Sequence, residues 1–393
     1  MSYKSTSLIS VAPIIRETVK PFEGEKSYMA TGDLSNQNTE ELESVTYANK
    51  PSRANLTAIN GDVVLARMKN TNKVLLVQND ETDYIYSTGF IILRPSKEID
   101  NNFLLHFLQS SVFQNEKDKL CTGATQKAIN NQKFASIKVP IPPLPIQKRL
   151  AEILDAADAL KRKDQALLKK YDELAQAIFI DMFGDPVKNE KGWEENIIKN
   201  ISSNEKHSIK AGPFGSSLKK EFYKKSGYRI YGQEQVIADD FTIGDYYIDE
   251  TKYQELKNCS IKEDDILISL VGTYGKISVV PKNIESGIIN PRLMKISLNR
   301  SLFNPHFFKF LLQTKQMYDR ISTFSRGGTM DIVNVGIISA VIVIIPPIEI
   351  QNAFVDALNS VKEQMELVVK NKSSDKLFQT LIQKAFKGEL VTE

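Results

Sequence analysis

The stretch Pro142-Pro143-Leu144-Pro145-Ile146-Gln147 returns 204 residues later as Pro346-Pro347-Ile348-Glu349-Ile350-Gln351. The same offset relates Gly123-Ala124-Thr125-Gln126 to Gly327-Gly328-Thr329-Met330, without a gap. Further upstream the offset drifts, so each copy has a fixed C-terminal part and a divergent N-terminal part. Two copies are too few for a solenoid. The sequence therefore predicts a duplicated globular unit with an internal pseudo-two-fold.

A long run of heptad-spaced apolar residues follows each proline pair. Prolines end the preceding strand and fit a helix's first turn, so a helix is predicted from each pair, to Gly184 in one copy and to Gly388 in the other. A helix of roughly 38 residues is about 57 Å long and cannot fold back on its own domain. We predict two long antiparallel coiled-coil helices, with amphipathic helices that each cover their own domain as the alternative. The apolar heptad positions include Leu150, Leu160, Leu167, Leu174, Phe354, Val361, Val368 and Phe378.

Composition is that of an ordinary globular protein. Of the 393 residues, 41% are hydrophobic and 25% charged, and no apolar run has the length of a membrane span. The N-terminus lacks the features of a signal peptide, which predicts a cytoplasmic location. Cys121 and Cys259 do not occupy matching repeat positions, so reduced thiols are expected rather than a disulfide framework.

The repeat and the helices divide the chain into four segments. We expect two α+β domains, at 1–145 and 186–346, and two long helices, at 146–185 and 347–393. In each domain, short strands lead to a helix, around Phe103 to Leu120 and Pro305 to Ser322, then to a polar loop and a last strand. The net charge of +3 arises in the divergent domains, because each helical segment has a small excess of acidic residues.

Several loops combine cations, amides and hydroxyls, the groups that bond phosphates and base edges. They are Arg67 to Lys73 and its glycine-containing counterpart Val271 to Lys276. A further pair, Gly123 to Lys127 and Arg326 to Thr329, precedes the last strand of each half. The basic stretch Lys206 to Arg229, with the residues that follow it, is a further candidate. Turns that satisfy their own backbone, and a solvated charge run, are the alternatives. The predicted DNA-contacting residues are Arg67, Lys69, Asn70, Lys73, Thr125, Gln126, Lys127, Lys210, Lys219, Tyr231, Gln233, Gln235, Thr273, Tyr274, Lys276, Arg292, Arg326 and Thr329.

Catalytic and cofactor motifs are missing from the sequence. The glycine-rich stretch Gly212-Pro213-Phe214-Gly215-Ser216-Ser217 lacks the lysine of a nucleotide triphosphate loop. The three histidines are scattered, and no Cys/His spacing resembles a zinc site. No methyl-donor fingerprint is present either. A binding protein without catalytic residues or a metal is therefore the consistent interpretation.

The chain resembles the specificity subunits of type I restriction-modification systems over nearly its whole length. The resemblance is carried by the duplicated Gly-x-Thr loop, Pro-Pro and Gln147/Gln351 segments, by Met182-Phe183-Gly184-Asp185-Pro186 with Gly192-Trp193, and by the Tyr-Gly-Gln sequence at Tyr231. Trp193 has no equivalent in the first half, and the second helix is more polar at heptad positions.

The resemblance implies two target-recognition domains that each read half of a split double-stranded DNA sequence. It also implies that two methyltransferase subunits bind the heptad helices, carry S-adenosylmethionine and flip the target adenine, and that restriction-motor subunits can join. The chain itself would have no cofactor. The alternative is a coiled-coil scaffold whose heads bind protein.

Overall fold

The computed structural model describes residues 3–35, 38–39, 42–124, 126–270, 276–325, 334–370 and 373–390. These residues form two compact units. Unit 1 is Met1–Leu167 with Val368–Glu393, and unit 2 is Leu168–Leu367. Each unit thus combines one predicted recognition domain with parts of the predicted helices.

The first half of the chain contains twelve short strands and five helices among its described residues. The strands are β1 (Ser5–Ser7), β2 (Ile14–Ile15), β3 (Lys26–Met29), β4 (Leu34–Ser35), β5 (Asn38–Thr39), β6 (Glu43–Val45), β7 (Ala54–Leu56), β8 (Val63–Ala66), β9 (Val74–Leu76), β10 (Ile85–Ser87), β11 (Phe90–Leu93) and β12 (Lys138–Pro140). The helices are α1 (Leu8–Val11), α2 (Asn101–Gln109), α3 (Ser111–Leu120), α4 (Asn131–Phe134) and α5 (Leu144–Phe183).

The second half contains nine strands and eight helices among its described residues, and like the first half it ends with three helices, one strand and a long helical segment. Its strands are β13 (Glu194–Ile197), β14 (Ile209–Ala211), β15 (Tyr228–Tyr231), β16 (Tyr247–Ile248), β17 (Ile266–Ser269), β18 (Ile277–Val279), β19 (Gly287–Ile289), β20 (Leu293–Ile296) and β21 (Ile342–Ile345). Its helices are α6 (Ile198–Ile201), α7 (Gln233–Ala238), α8 (Glu250–Glu255), α9 (Pro305–Gln313), α10 (Lys315–Ser325), α11 (Val335–Ser339), α12 (Ile348–Lys370) and α13 (Ser373–Lys387).

The sheets of the two units correspond. The order β2-β11-β8-β9 in unit 1 matches β14-β20-β17-β18 in unit 2, and β1-β12 matches β13-β21. In both units one further sheet contains a parallel pair, β3 with β10 and β15 with β19. The mixture of antiparallel sheets with helices confirms the predicted α+β class.

The helix predicted from Phe103 to Leu120 is divided in two, and so is its counterpart in unit 2. Ser110 has an extended backbone, and its hydroxyl oxygen accepts a hydrogen bond from the amide of Phe113, which starts α3. Thr314 occupies the same place between α9 and α10. The prediction of one helix was wrong because a hydroxyl cap, which favours a new helix start, competes with helical continuation at this position.

The long helices pack through a phenylalanine-rich core in each unit. A long helix follows Pro143, as predicted, and α5 runs from Leu144 to Phe183. The returning helix is described as α12 and α13, with residues 371 and 372 outside the described part. In unit 2, Phe179 and Phe183 of α5 contact the ring of Phe354 on α12, with ring centroids 5.5 Å apart in both pairs.

In unit 1 the start of α5 shares a core with the end of α13. There Lys161 lies 2.9 Å from Asp375 and its ammonium group sits over the ring of Phe378. Residues earlier on α5, such as Leu150, belong to the same core as residues later on α13, such as Phe386. This is the order expected of an antiparallel pair.

A fully buried glutamine amide fixes the start of each long helix. Gln147 accepts a hydrogen bond from the amide of Asp100 at 2.8 Å and donates to the carbonyls of Glu98 and Pro142, both at 2.9 Å. Gln351 makes the same three bonds, with Asn304, Leu302 and Pro346. Both glutamines have zero exposure. Each amide therefore ties the long helix to the helix cap and the last strand of its own recognition domain.

We predict that Gln147→Met lowers the free energy of unfolding by about 1–3 kcal/mol, because it leaves buried backbone groups without partners. Urea unfolding of the full chain measures this. Gln165→Met, on the exposed face of the same helix, is the matched control and should change the free energy by under about 0.5 kcal/mol. Equal effects of the two substitutions would contradict the role given to Gln147.

Candidate nucleic-acid interface

The predicted DNA-contacting loops occupy equivalent positions at the ends of matching strands. In unit 1 the amide of Ala66 donates to the carbonyl of Lys73, and in unit 2 the amide of Ser269 donates to the carbonyl of Lys276, both at 3.0 Å. Lys73 and Lys276 therefore close the same hairpin in the two copies. The duplication thus presents two loops of different sequence on one shared frame.

Two loops that were predicted separately in unit 1 lie side by side. The amide of Lys69, in loop 67–73, donates to the carbonyl of Lys127, in loop 123–127, at 2.9 Å. Lys69, Asn70, Gln126 and Lys127 are all exposed. Their proximity makes one polar, cationic surface, which we call the unit 1 loop surface and define by these four residues.

Arg67 and Lys73 have a different position from the exposed residues. The Arg67 guanidinium donates to the carbonyl of Phe90 at 2.8 Å and to Asn131 at 2.5 Å. Burial, with the nearby charge of Arg16, lowers the pKa of Arg67. The Lys73 ammonium donates to the carbonyls of Thr31 and Gly32. Both cations are half-buried and bind the backbone, so their described role is to hold the loops.

Sequence reasoning missed Lys117, which lies beneath the same surface. Its side chain has zero exposure, and its ammonium donates to the carbonyls of Met68 at 2.9 Å and Thr71 at 2.7 Å. Burial lowers the pKa of Lys117. The internal repeat could have revealed that Lys117 is buried, because the residue 204 positions later is the apolar Ile321, a buried core residue of unit 2.

Asp118, next to Lys117, holds the tip of the loop. Its carboxylate accepts the amide of Asn70 at 3.1 Å. Asn70 has a φ of +57°, a left-handed conformation that asparagine tolerates better than most residues. The unit 1 loop has no glycine at this point, so a buried lysine and a carboxylate fix its backbone instead.

Unit 2 assembles a polar cluster from three segments that are distant in sequence. The side-chain amide nitrogen of Gln233 donates to the hydroxyl of Ser269 at 2.6 Å, and the Arg292 guanidinium donates to the side-chain oxygen (Oε1) of Gln233 at 3.4 Å. We call Gln233, Ser269 and Arg292 the unit 2 reading cluster. Arg292 is exposed, and the exposed Lys276 is joined to the cluster through the backbone of Ser269.

Tyr231 and Gln235, also predicted to contact DNA, are buried. The Tyr231 hydroxyl donates to the carbonyl of Glu285 at 2.7 Å, and burial raises the pKa of that hydroxyl. The Gln235 amide accepts from Gly232 at 2.7 Å and donates to the carbonyl of Ile243 at 2.8 Å. Their polar atoms bond the protein itself, so direct base contact is not the role that the structure gives them.

The remaining predicted residues are dispersed or lie outside the described part of the chain. Lys210 faces Lys295 across the β14–β20 pair, and the Lys219 ammonium is 3.7 Å from Glu221. Within the described residues, neither side chain bonds the unit 2 reading cluster. Five predicted contacts lie outside the described residues: Thr125, Thr273, Tyr274, Arg326 and Thr329.

The described residues contain no group of three or more metal-ligating side chains. Across those same ranges, no helix has the length and apolar character required to cross a bilayer.

Comparison with known proteins identifies the family. The model of the type I restriction modification DNA specificity domain matches this chain twice, at residues 10–170 and 194–374. The putative type I restriction enzyme MjaX specificity subunit of Methanocaldococcus jannaschii is 22% identical over 79% of this chain and 74% of its own length. The EcoKI specificity subunit of Escherichia coli is 24% identical over 77% of this chain and 68% of its own length.

Solved structures support the same fold. A type I specificity subunit from M. genitalium matches with a TM-score of 0.54 and 15% identity, over 98% of this chain and 96% of that one. A chain from a study of type I complex assembly and conformational transition matches with a TM-score of 0.52 and 17% identity, over 99% and 98%. The chain belongs to the type I restriction-modification specificity subunits, with two target-recognition domains. Members of this family are recognition subunits rather than enzymes, and they work in complexes with other subunits and DNA.

We predict that Lys117→Met speeds hydrogen exchange at the amides of Lys69 and Asn70, because two loop carbonyls lose their buried cation. Exchange measured by mass spectrometry or NMR on the full chain tests this. Lys119→Met, an exposed lysine on the same helix, is the control and should leave these amides protected. Unchanged exchange in Lys117→Met would show that the loop holds its shape without that lysine.

Proposed function

We propose that the chain reads a split double-stranded DNA target, one half-site through each unit. The unit 2 reading cluster is the observation that carries this proposal, because it presents a guanidinium and an amide together at one end of a sheet. Arg and Gln are the side chains that bond guanine and adenine edges in the major groove. The family model, named for DNA specificity and matched once in each half, supports the same assignment.

The described residues divide by the kind of contact their chemistry suits. Lys276 in unit 2 and Lys69 and Lys127 in unit 1 are exposed cations on loops, suited to phosphates, which fix register without reading sequence. Gln233 and Arg292 hold each other in place and suit base edges. In unit 1, Asn70 and Gln126 are the exposed amides that suit this role. The predicted contacts outside the described residues remain candidates.

The two units share a frame but differ in the loops that it carries. Each half-site can therefore have its own sequence, because the framework bonds are repeated whereas the exposed side chains are not. This favours DNA reading over the alternative of a scaffold with protein-binding heads, since a bipartite asymmetric target requires two divergent surfaces on one support.

Methyl transfer would be performed by a separate methyltransferase subunit that carries S-adenosylmethionine and extrudes the target adenine. We propose that this subunit docks on the long helices. Of the predicted helix residues, Leu150, Phe354 and Phe378 lie in the cores of their own units, Val361 is also buried, and the side chain of Val368 is outside the described part.

The exposed heptad residues are better candidates for docking. Leu160, Leu167 and Leu174 are 45%, 37% and 45% exposed and follow one another at seven-residue spacing on α5. They are not among the residues that α5 contributes to the two hydrophobic cores, which include Ala157 and Ala175. Three leucines along one side of a helix give a partner an apolar stripe to cover.

We predict that Arg292→Ala and Gln233→Ala relax or change the half-site read by unit 2 and leave the other half-site intact. Each base contact should discriminate by about 1–3 kcal/mol. Methylome sequencing of cells that express the complete complex gives both half-sites for each variant. Lys276→Ala is the contrasting variant, expected to weaken binding to all sequences and to reduce the salt dependence of affinity.

Two results would contradict these expectations. If Arg292→Ala and Gln233→Ala keep both half-sites and full affinity, the reading cluster does not read DNA. If the wild-type complex neither shifts duplex DNA in a mobility assay nor methylates a bipartite sequence, the proposed function itself is wrong.

We predict that the purified chain transfers no methyl group to DNA, and that a co-expressed methyltransferase subunit restores transfer.

The triple variant Leu160→Glu, Leu167→Glu, Leu174→Glu should lose the methyltransferase subunit in size-exclusion chromatography, because charges replace the apolar stripe. It should keep affinity for duplex DNA. A control that replaces exposed polar residues of the same helix, Lys163→Glu and Lys170→Glu, should keep the subunit. Retention by the triple variant would place docking elsewhere.

A further inference from the structure

The glycine-rich stretch 212–217, which is not a nucleotide loop, presents one aromatic ring to solvent. Phe214 is 87% exposed, against at most 58% for the other exposed large hydrophobic side chains among the described residues. Single exposed apolar residues are common on protein surfaces. The exposure of Phe214 indicates a function only in combination with the turn that holds the ring and the side chains near it.

The loop that carries Phe214 is tied down on both sides. The amide of Gly212 donates to the carbonyl of Leu293 at 2.9 Å. A Cβ at Gly212 would lie 1.9 Å from the carbonyl oxygen of Asn290, so only glycine permits this approach. After Phe214 the chain makes a 3₁₀ turn, Gly215–Ser217, and returns to the core at the buried Leu218. The ring is therefore presented on a fixed turn.

The fixed turn lies beside the unit 2 reading cluster. Ala211 pairs with Met294 and Gly212 bonds Leu293, so the strand next to the loop leads directly to Arg292. Arg292 in turn donates to Gln233. The turn that carries the exposed ring therefore neighbours the segment of the exposed Arg292 and, through it, Gln233. Aromatic and cationic side chains placed together in this way suit bases and phosphates of nucleic acid.

The duplication supplies an internal comparison. Ile14 and Ile209 pair with the equivalent residues Leu93 and Ile296 of the matching sheets. Five residues beyond Ile14, unit 1 has Val19, which is buried with 9% exposure. Five residues beyond Ile209, unit 2 has Phe214. At the same distance along the chain from the matched pair, the side chain is therefore buried in one copy and exposed in the other, where it is also larger.

We propose that Phe214 makes an apolar contact with the base pairs of the half-site that unit 2 reads. This proposal rests on the proposed function. A phenylalanine can contact a thymine methyl group in the major groove, or enter between base steps and unstack them. Both modes bury the ring against bases, and both differ from the polar contacts of Arg292 and Gln233.

The test uses the full chain in complex with its methyltransferase subunit and the duplex target that methylome sequencing of the wild type defines. Phe214→Ala is expected to weaken binding of the cognate duplex by about tenfold or more and to leave the half-site of unit 1 unchanged. Phe214→Leu should retain part of the affinity, because it keeps an apolar side chain. Leu302→Ala is the matched control, since Leu302 is also an exposed apolar residue of unit 2, and it should bind as the wild type does.

A fluorescence arm reports the contact itself and distinguishes its two modes. Phe214→Trp is made in a Trp193→Phe background, which removes the chain's only tryptophan. Cognate duplex should quench the new indole, and duplex with a scrambled unit 2 half-site should quench it less. 2-Aminopurine placed in that half-site brightens if the ring unstacks a base step, and stays dark if the ring contacts a thymine methyl group.

Three outcomes would overturn the proposal. The first is wild-type DNA affinity in Phe214→Ala. The second is an indole that cognate duplex does not quench. The third is loss of the methyltransferase subunit from Phe214→Ala, which would make the ring a protein contact. In each case the wild-type complex still binds and methylates its target, so the result is distinct from failure of the proposed function, in which the wild type itself does not recognise DNA.

Discussion

The structure depends on two buried side-chain amides, those of Gln147 and Gln351. Each accepts one backbone amide and donates to two backbone carbonyls, so all of its bonds lie inside the protein. A buried amide in this position is stable only while all three partners stay in place. The start of each long helix, the N-cap of α2 or α9 and the segment that follows the last strand are therefore held in one geometry in both units.

This constraint allows the rest of each recognition domain to vary. Strand order and the hairpin bonds that end at Lys73 and Lys276 are the same in the two copies, whereas the solutions for fixing the loops differ. Unit 1 uses the buried Lys117 and the carboxylate of Asp118 under a loop without glycine. Unit 2 has Ile321 at the position of Lys117 and builds its cluster from side chains on three segments. A loop that is fixed from within keeps its exposed side chains ordered before any ligand arrives, which lowers the entropy cost of binding.

The long helix α5 shows how a heptad can serve two surfaces. The residues of α5 that lie in the two cores include Leu150, Ala157, Ala175 and Phe179. The leucines at 160, 167 and 174 remain exposed along the same helix. An α-helix with 3.6 residues per turn drifts relative to a strict seven-residue repeat, so one heptad frame need not face a single neighbour along 40 residues.

The sequence by itself determined the duplication, the α+β class, the presence of a long helix after Pro143 and the family, because these follow from a repeat in register, from the positions of the prolines and from hydrophobic periodicity. It also predicted that loops 67–73 and 123–127 contact DNA, although not that the two loops lie side by side. Only the tertiary structure decided which polar residues face outward. Tyr231 and Gln235 have the chemistry of base readers but are buried, and Lys117 has the chemistry of a surface residue but lies in the core. Exposure depends on how strands distant in sequence pair, and a one-residue difference in strand register turns a side chain to the opposite face.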